Sequence, residues 1–255
     1  MRWWGRAECP VREVERDWIE TSLDWMIGEF GRERLLGTVV LPTDEFFPGV
    51  YRGSRDDVRS VFRRVCRHMG VDPARIDLEH DADDEDDGLA SYVPLTRRWN
   101  VAAGHHRVRN GRSVIGIRDD KAAEPMALVA TIAHELGHAI LLNDERGAGG
   151  NGGAGGSGGL RIDPEREDHE PLTDLLTVFF GMGIFAANAA FEFNRHEAGY
   201  RTSRLGYLTE PMYGYALARY AWLRGEPDPM WARCLDTNPR VYLKRGLRYL
   251  GRNPV

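Results

Sequence analysis

The sequence predicts an α+β chain: a mixed or antiparallel sheet packed on a long apolar helix, followed by a helical C-terminal lobe. Three patterns lead there. Residues 101–109 and 113–118 alternate in polarity on either side of Asn110-Gly111, which is a hairpin signature. Residues 125–142 form one apolar run of helical length, and Pro171, Pro211 and Pro239 each sit just inside a later helical segment, where a missing N–H costs nothing. At 255 residues and 42% hydrophobic content, the chain can bury one sizeable core, with or without a smaller layer.

In chain order, Val14, Trp18, Leu23, Trp25 and Ile27 mark a helix over residues 11–30 that stops at Gly31. Residues 35–41 read as a strand halted by Pro42. Ser54 is placed to cap a helix that runs to Met69 before Gly70, and residues 75–80 alternate again. The acidic run at 81–88, DADDEDDG, lacks the ligand register of a calcium loop and reads as a solvated connector. His105 and His106 fall on the first hairpin arm, where strand surface is the expectation. Residues 147–159, GAGGNGGAGGSGG, are a flexible linker; the G-x-G-x-x-G string inside them has no strand before it and no helix after it. Helices are expected over 171–193, 211–224 and 239–250, the last capped by Asn238. The division predicted is an N-terminal α/β layer at 1–87, integral to the fold, and a catalytic core at 88–255 with its glycine-rich loop at 147–159.

Charge and composition exclude several classes. The net charge is −5 and the basic residues are dispersed in sequence, so nucleic acid is not expected as a partner. Cys9, Cys66 and Cys234 form no CxxC pair and read as small hydrophobes, giving neither a disulfide framework nor a thiolate zinc site. The uncharged run at 175–191 is short for a membrane span and begins beside Asp174, so a buried core helix is expected and no membrane partner. The first residues show no secretory signal, and the expected location is cytoplasmic.

The chemistry concentrates in AHELGHAILL, residues 133–142. Residues four apart on a helix share a face, so His134 and His138 can turn their imidazoles to one point and hold a metal ion. Glu135, beside the first histidine, is placed as a general base for a water at that metal. The bland alternative is a helix with satisfied core histidines. A catalytic zinc takes three protein ligands and keeps one position open. Glu170 in EDHEPLTDLL, residues 167–176, is the preferred third ligand, with Glu167, Asp168 and His169 left open. Asp174, one turn after Glu170, is placed to accept the outer N–H of a ligating histidine and fix its tautomer.

The pair HELGH and EPLTD resembles the gluzincin branch of the zincin metallopeptidases, whose pattern is HExxH followed on a later helix by ExxxD. The likeness covers about residues 100–195, and its specificity lies in the motif positions. It implies that His134, His138 and Glu170 bind Zn2+, that Glu135 is the base and that Asp174 supports a histidine ligand. It also implies a peptide or protein substrate laid in extended form along the strand at 113–118 by β-augmentation. Trp99, Arg97 and Arg98 could line its pocket, and His196, Tyr200, Tyr207 or Tyr213 could stabilise an oxyanion. A zinc hydrolase of another amide or ester, and an inactive zincin-fold scaffold or binding protein, are the alternatives. Oligomeric state is not legible.

Overall fold

The computed structural model describes residues 8–81, 104–109, 112–118, 121–142, 161–163, 165–196 and 208–253. Along these run helices α1 (Glu13–Phe30), α2 (Arg32–Leu35) and α3 (Arg55–Met69), then strands β1 (Ile76–Asp81), β2 (Gly104–Arg109) and β3 (Arg112–Arg118). Helices α4 (Pro125–Leu142), α5 (His169–Phe179), α6 (Gly183–His196), α7 (Glu210–Leu223) and α8 (Thr237–Leu250) follow. The described architecture is therefore mixed α/β, with eight α-helices and a small three-stranded mixed sheet. Two compact units divide the chain: Thr43–Arg166 forms one, and Met1–Pro42 with Glu167–Val255 forms the other. These boundaries differ from the expected cut at residue 87. The acidic run beyond Asp81, the glycine tract at 147–159, and Arg97, Arg98, Trp99, Tyr200 and Tyr207 lie outside the described residues.

In the unit Thr43–Arg166, α3 forms where local chemistry asks for it. Ser54 and Asp57 build a capping box, in which Ser54 Oγ accepts the Asp57 N–H at 3.2 Å and Asp57 Oδ2 accepts the Ser54 N–H at 3.1 Å. Gly70, in the left-handed conformation at φ 72°, ends the helix. Val58, Val61, Phe62, Val65, Cys66 and Met69 make its buried face, packed towards α4. Burial pushes the Cys66 thiol up to about 12, so this cysteine behaves as a small hydrophobe. Cys9 and Cys234 are only partly buried, and all three cysteines are free.

The sheet order is β1-β3-β2. β1 runs parallel to β3, with Ile76 beside Ser113, and β2 runs antiparallel to it, with Arg109 opposite Arg112, as expected for a hairpin around residues 110–111. β3 is thus the central strand, buried from Ser113 to Ile117. This corrects the expectation that residues 113–118 offer a free edge to a peptide, because both sides of β3 are already paired. β2 and β3 pack on α4, which is buried from Ala127 to Leu141. Among the described residues α4 is also the one helix long and apolar enough to cross a membrane, and most of it is buried inside the protein.

In the other unit, the expected strand at 35–41 does not form. Arg32–Leu35 is a short helix instead, and beyond it a single backbone bond, Val40 N–H to Gly181 O at 2.9 Å, stands in place of a ladder. The uncharged run is buried over 175–190, as expected, apart from the half-buried Asn188, but it forms parts of two helices and not one. The break is at Gly181, φ 81°, where a Cβ would lie 2.5 Å from Thr38 O. α7 and α8 approach closely: a Cβ on Gly246 would meet Ala218 Cβ at 2.6 Å. The cap of α8 is Asp236, while Asn238, the expected cap, lies in the first turn and donates from Nδ2 to Glu210 Oε1 at 3.3 Å.

Candidate metal centre

α4 is an apolar helix with three ionisable side chains in its buried middle. His134 is 8% exposed, Glu135 4% and His138 7%. Taking such groups out of water is costly without partners, so each of them must be held by something specific. The two imidazoles meet edge to face, ring centroids 4.6 Å apart, and their Nε2 atoms are 2.9 Å from each other. The i, i+4 spacing on one helix face produces this convergence.

That geometry suits a shared ion. At 2.9 Å the two Nε2 atoms are within hydrogen-bond distance of each other, and Zn–N bonds of about 2.0–2.1 Å at a tetrahedral angle, which put two ligand nitrogens about 3.3 Å apart, would need them to separate by a few tenths of an ångström. Glu135 follows His134 directly on the same buried stretch of α4.

His106, expected on the strand surface, is half-buried and lies near His138. In β2 it stands opposite Ile115, so its side chain lies on the same sheet face as Ser113, the diagonal neighbour. Its Nε2 is 3.1 Å from Ser113 Oγ, and its ring lies nearly parallel to that of His138, 23° apart with centroids at 6.2 Å. Hairpin register could have pointed to that face, although the packing of the hairpin on α4 could not be read from spacing.

In the second unit, Glu170 lies in the first turn of α5 with its side chain 27% exposed, and His169 Nδ1 is 3.8 Å from Glu170 Oε1. Asp174, one turn on, is 3% exposed. Its Oδ2 accepts the Leu208 backbone N–H at 2.9 Å, and Thr177 Oγ1 donates to its carbonyl at 2.7 Å. Asp174 therefore anchors the chain just ahead of α7. Of the other carboxylates near Glu170, Asp168 receives Trp18 Nε1–H on Oδ2 at 2.7 Å, and Glu167 is exposed. Tyr213 is buried on α7, and the side chain of His196 lies outside the described residues.

No family model, curated protein or solved structure matches this chain. The chemistry of the side chains thus stands without a relative to interpret it.

Proposed function

We propose that this protein is a zinc-dependent peptidase of zincin type, in which His134, His138 and Glu170 each give one ligand atom to the metal. The observation that carries the reading is the meeting of the two Nε2 atoms beside Glu135 in a buried helix. Two imidazoles and one carboxylate are a donor set that favours zinc over harder cations, and three ligands leave a position open. Bound there, zinc would supply a Lewis acid that polarises a carbonyl and makes water more acidic.

The chain's own residues do the rest. Glu135 takes the proton of the attacking water on a carboxylate oxygen and releases it to the nitrogen of the leaving amine. Asp174, through its second carboxylate oxygen, is assigned to orient a ligand imidazole, while its bond to Leu208 N–H holds the carboxylate in place. An extended substrate would add to β2, Gly104–Arg109, because of the two edge strands among the described ones, β1 and β2, β2 is the one that packs on α4. This moves the expected substrate edge from β3 to its neighbour.

The test is metal content and peptide hydrolysis on the same preparations. Glu135→Gln is expected to keep zinc and to lose about 10²–10⁴ in kcat. His138→Ala is expected to lose both zinc and activity. Full activity in Glu135→Gln, or unchanged zinc binding in His138→Ala, would sink the proposal.

A further inference from the structure

α3 presents a feature unrelated to the metal centre. Arg55, Arg59, Arg63 and Arg67 are four residues apart and all exposed, so they form one ridge along the solvent side of the helix. In sequence these residues are dispersed; on the helix they line up, about 6 Å of axial rise from each to the next.

Exposed charged helices ordinarily set opposite charges four apart. This one does not. Its carboxylates, Asp56 and Asp57, are both in the first turn, and Asp57 is engaged by Ser54 and the backbone of the cap. Arg59 lies 3.8 Å from Asp56, a loose pair with the arginine side chain 57% exposed. Among the described residues, Arg55, Arg63 and Arg67 have no carboxylate partner. The contrast within the same unit is sharp: Arg107 and Arg109 both bond Glu79, and Arg112 bonds Asp77 Oδ1 at 3.0 Å and Ala74 O at 2.7 Å. There the guanidinium groups are satisfied by the fold; on α3, among the described residues, Arg59 alone of the four has a carboxylate, and a distant one.

We infer that the arginine ridge of α3 is a docking surface for an acidic protein segment that offers carboxylates at matching spacing, as a helix with Glu at every fourth position does. Arginine presents a planar fork of donors suited to bidentate carboxylate pairing, and a row of such forks fixes register as well as charge. Nucleic acid fits less well. The arginine row itself carries no aromatic ring on which a base could stack, Phe62 being buried and the half-buried His68 ring being held against Phe46 and Phe47, and the whole chain bears a charge of −5.

The experiment titrates the full chain with a fluorescent helical peptide bearing Glu at every fourth position, over a range of salt, with an oligo-dT strand measured in parallel. The peptide is expected to bind saturably, more weakly as salt rises, and Arg59→Glu with Arg63→Glu is expected to weaken it at least about tenfold. The milder pair Arg59→Gln and Arg63→Gln should weaken it less, at unchanged thermal stability, which separates lost docking from lost folding. No saturable binding at low salt, equal binding by the reversed variant, or tighter binding of oligo-dT would overturn the inference. So would peptide binding that appears only after Asp83, Asp84, Asp86 and Asp87 are changed to Asn, since the chain's own acidic run would then be the occupant.

Discussion

α3 and α4 are neighbours in one unit and obey different rules. α3 has a capping box at its start, a left-handed glycine at its end and one buried face. α4 is buried over nearly its whole length, with no acidic residue in its first turn and no basic one in its last. The first is specified by its own residues and only needs a surface to lie on. The second is specified by what surrounds it, and that enclosure takes its two histidines and its glutamate out of water. Local signals make a helix predictable; enclosure sets the surroundings of its side chains.

The difference predicts an order of sensitivities. Leu136, fully buried on α4, should be the most costly to truncate: Leu136→Ala is expected to lose about 2–5 kcal/mol in denaturant unfolding. A loss below 1 kcal/mol would mean that α4 is less enclosed than its burial indicates. Ser54→Ala removes both hydrogen bonds of the hydroxyl to Asp57 at the start of α3 and is expected to cost about 1 kcal/mol. If it costs as much as the Leu136 change, the contrast between the two helices fails.

The smallest effect sharpens the same contrast through pH. The Ser54 hydroxyl, and then the backbone N–H groups of Arg52 and Ser54, hold the Asp57 carboxyl below its ordinary value of 3.8. A group whose folded value is depressed stabilises the fold above its unfolded value, and that contribution disappears as pH falls through the folded one. Titration of the Asp57 side chain followed by NMR should give a midpoint below 3.8, and Ser54→Ala should move it back up. A midpoint at or above the ordinary value in the parent protein would show that the box does not hold the ionised carboxylate.

How much was legible follows the same division. Ser54, Gly70, Gly31 and the hairpin arms were readable because caps and turns act over a few residues. The helix at 125–142 and the meeting of His134 with His138 were readable because helical spacing alone sets them. The features missed depend on distant partners. Residues 35–41 read as a strand, but they have one backbone bond to Gly181 and, among the described residues, no neighbouring strand. The helix expected at 171–193 breaks at Gly181 because Thr38 O lies where a side chain would be. β3 could not be recognised as central until β1, from the far side of the acidic run, was seen to pair with it. His106 lies against His138 for the same reason: strand pairing is local, but the helix on which a hairpin packs is not. The arginines of α3 are a different case. Their spacing of four was in the sequence, and it gains significance because Arg107, Arg109 and Arg112 are paired with carboxylates while, among the described residues, Arg55, Arg63 and Arg67 are not.

The division of the chain into units also bears on the order in which the protein can be made. Thr43–Arg166 is continuous and can close its core as soon as its last residue leaves the ribosome. The other unit begins at Met1–Pro42 and is completed only by Glu167–Val255. Ile19, Leu23 and Met26 of α1, buried in the finished protein, must therefore wait through the synthesis of the whole intervening unit before α5 and α7 exist to cover them. During that interval the nascent chain exposes an apolar helix face, and holding it out of aggregation is a demand that falls on the cell's chaperones.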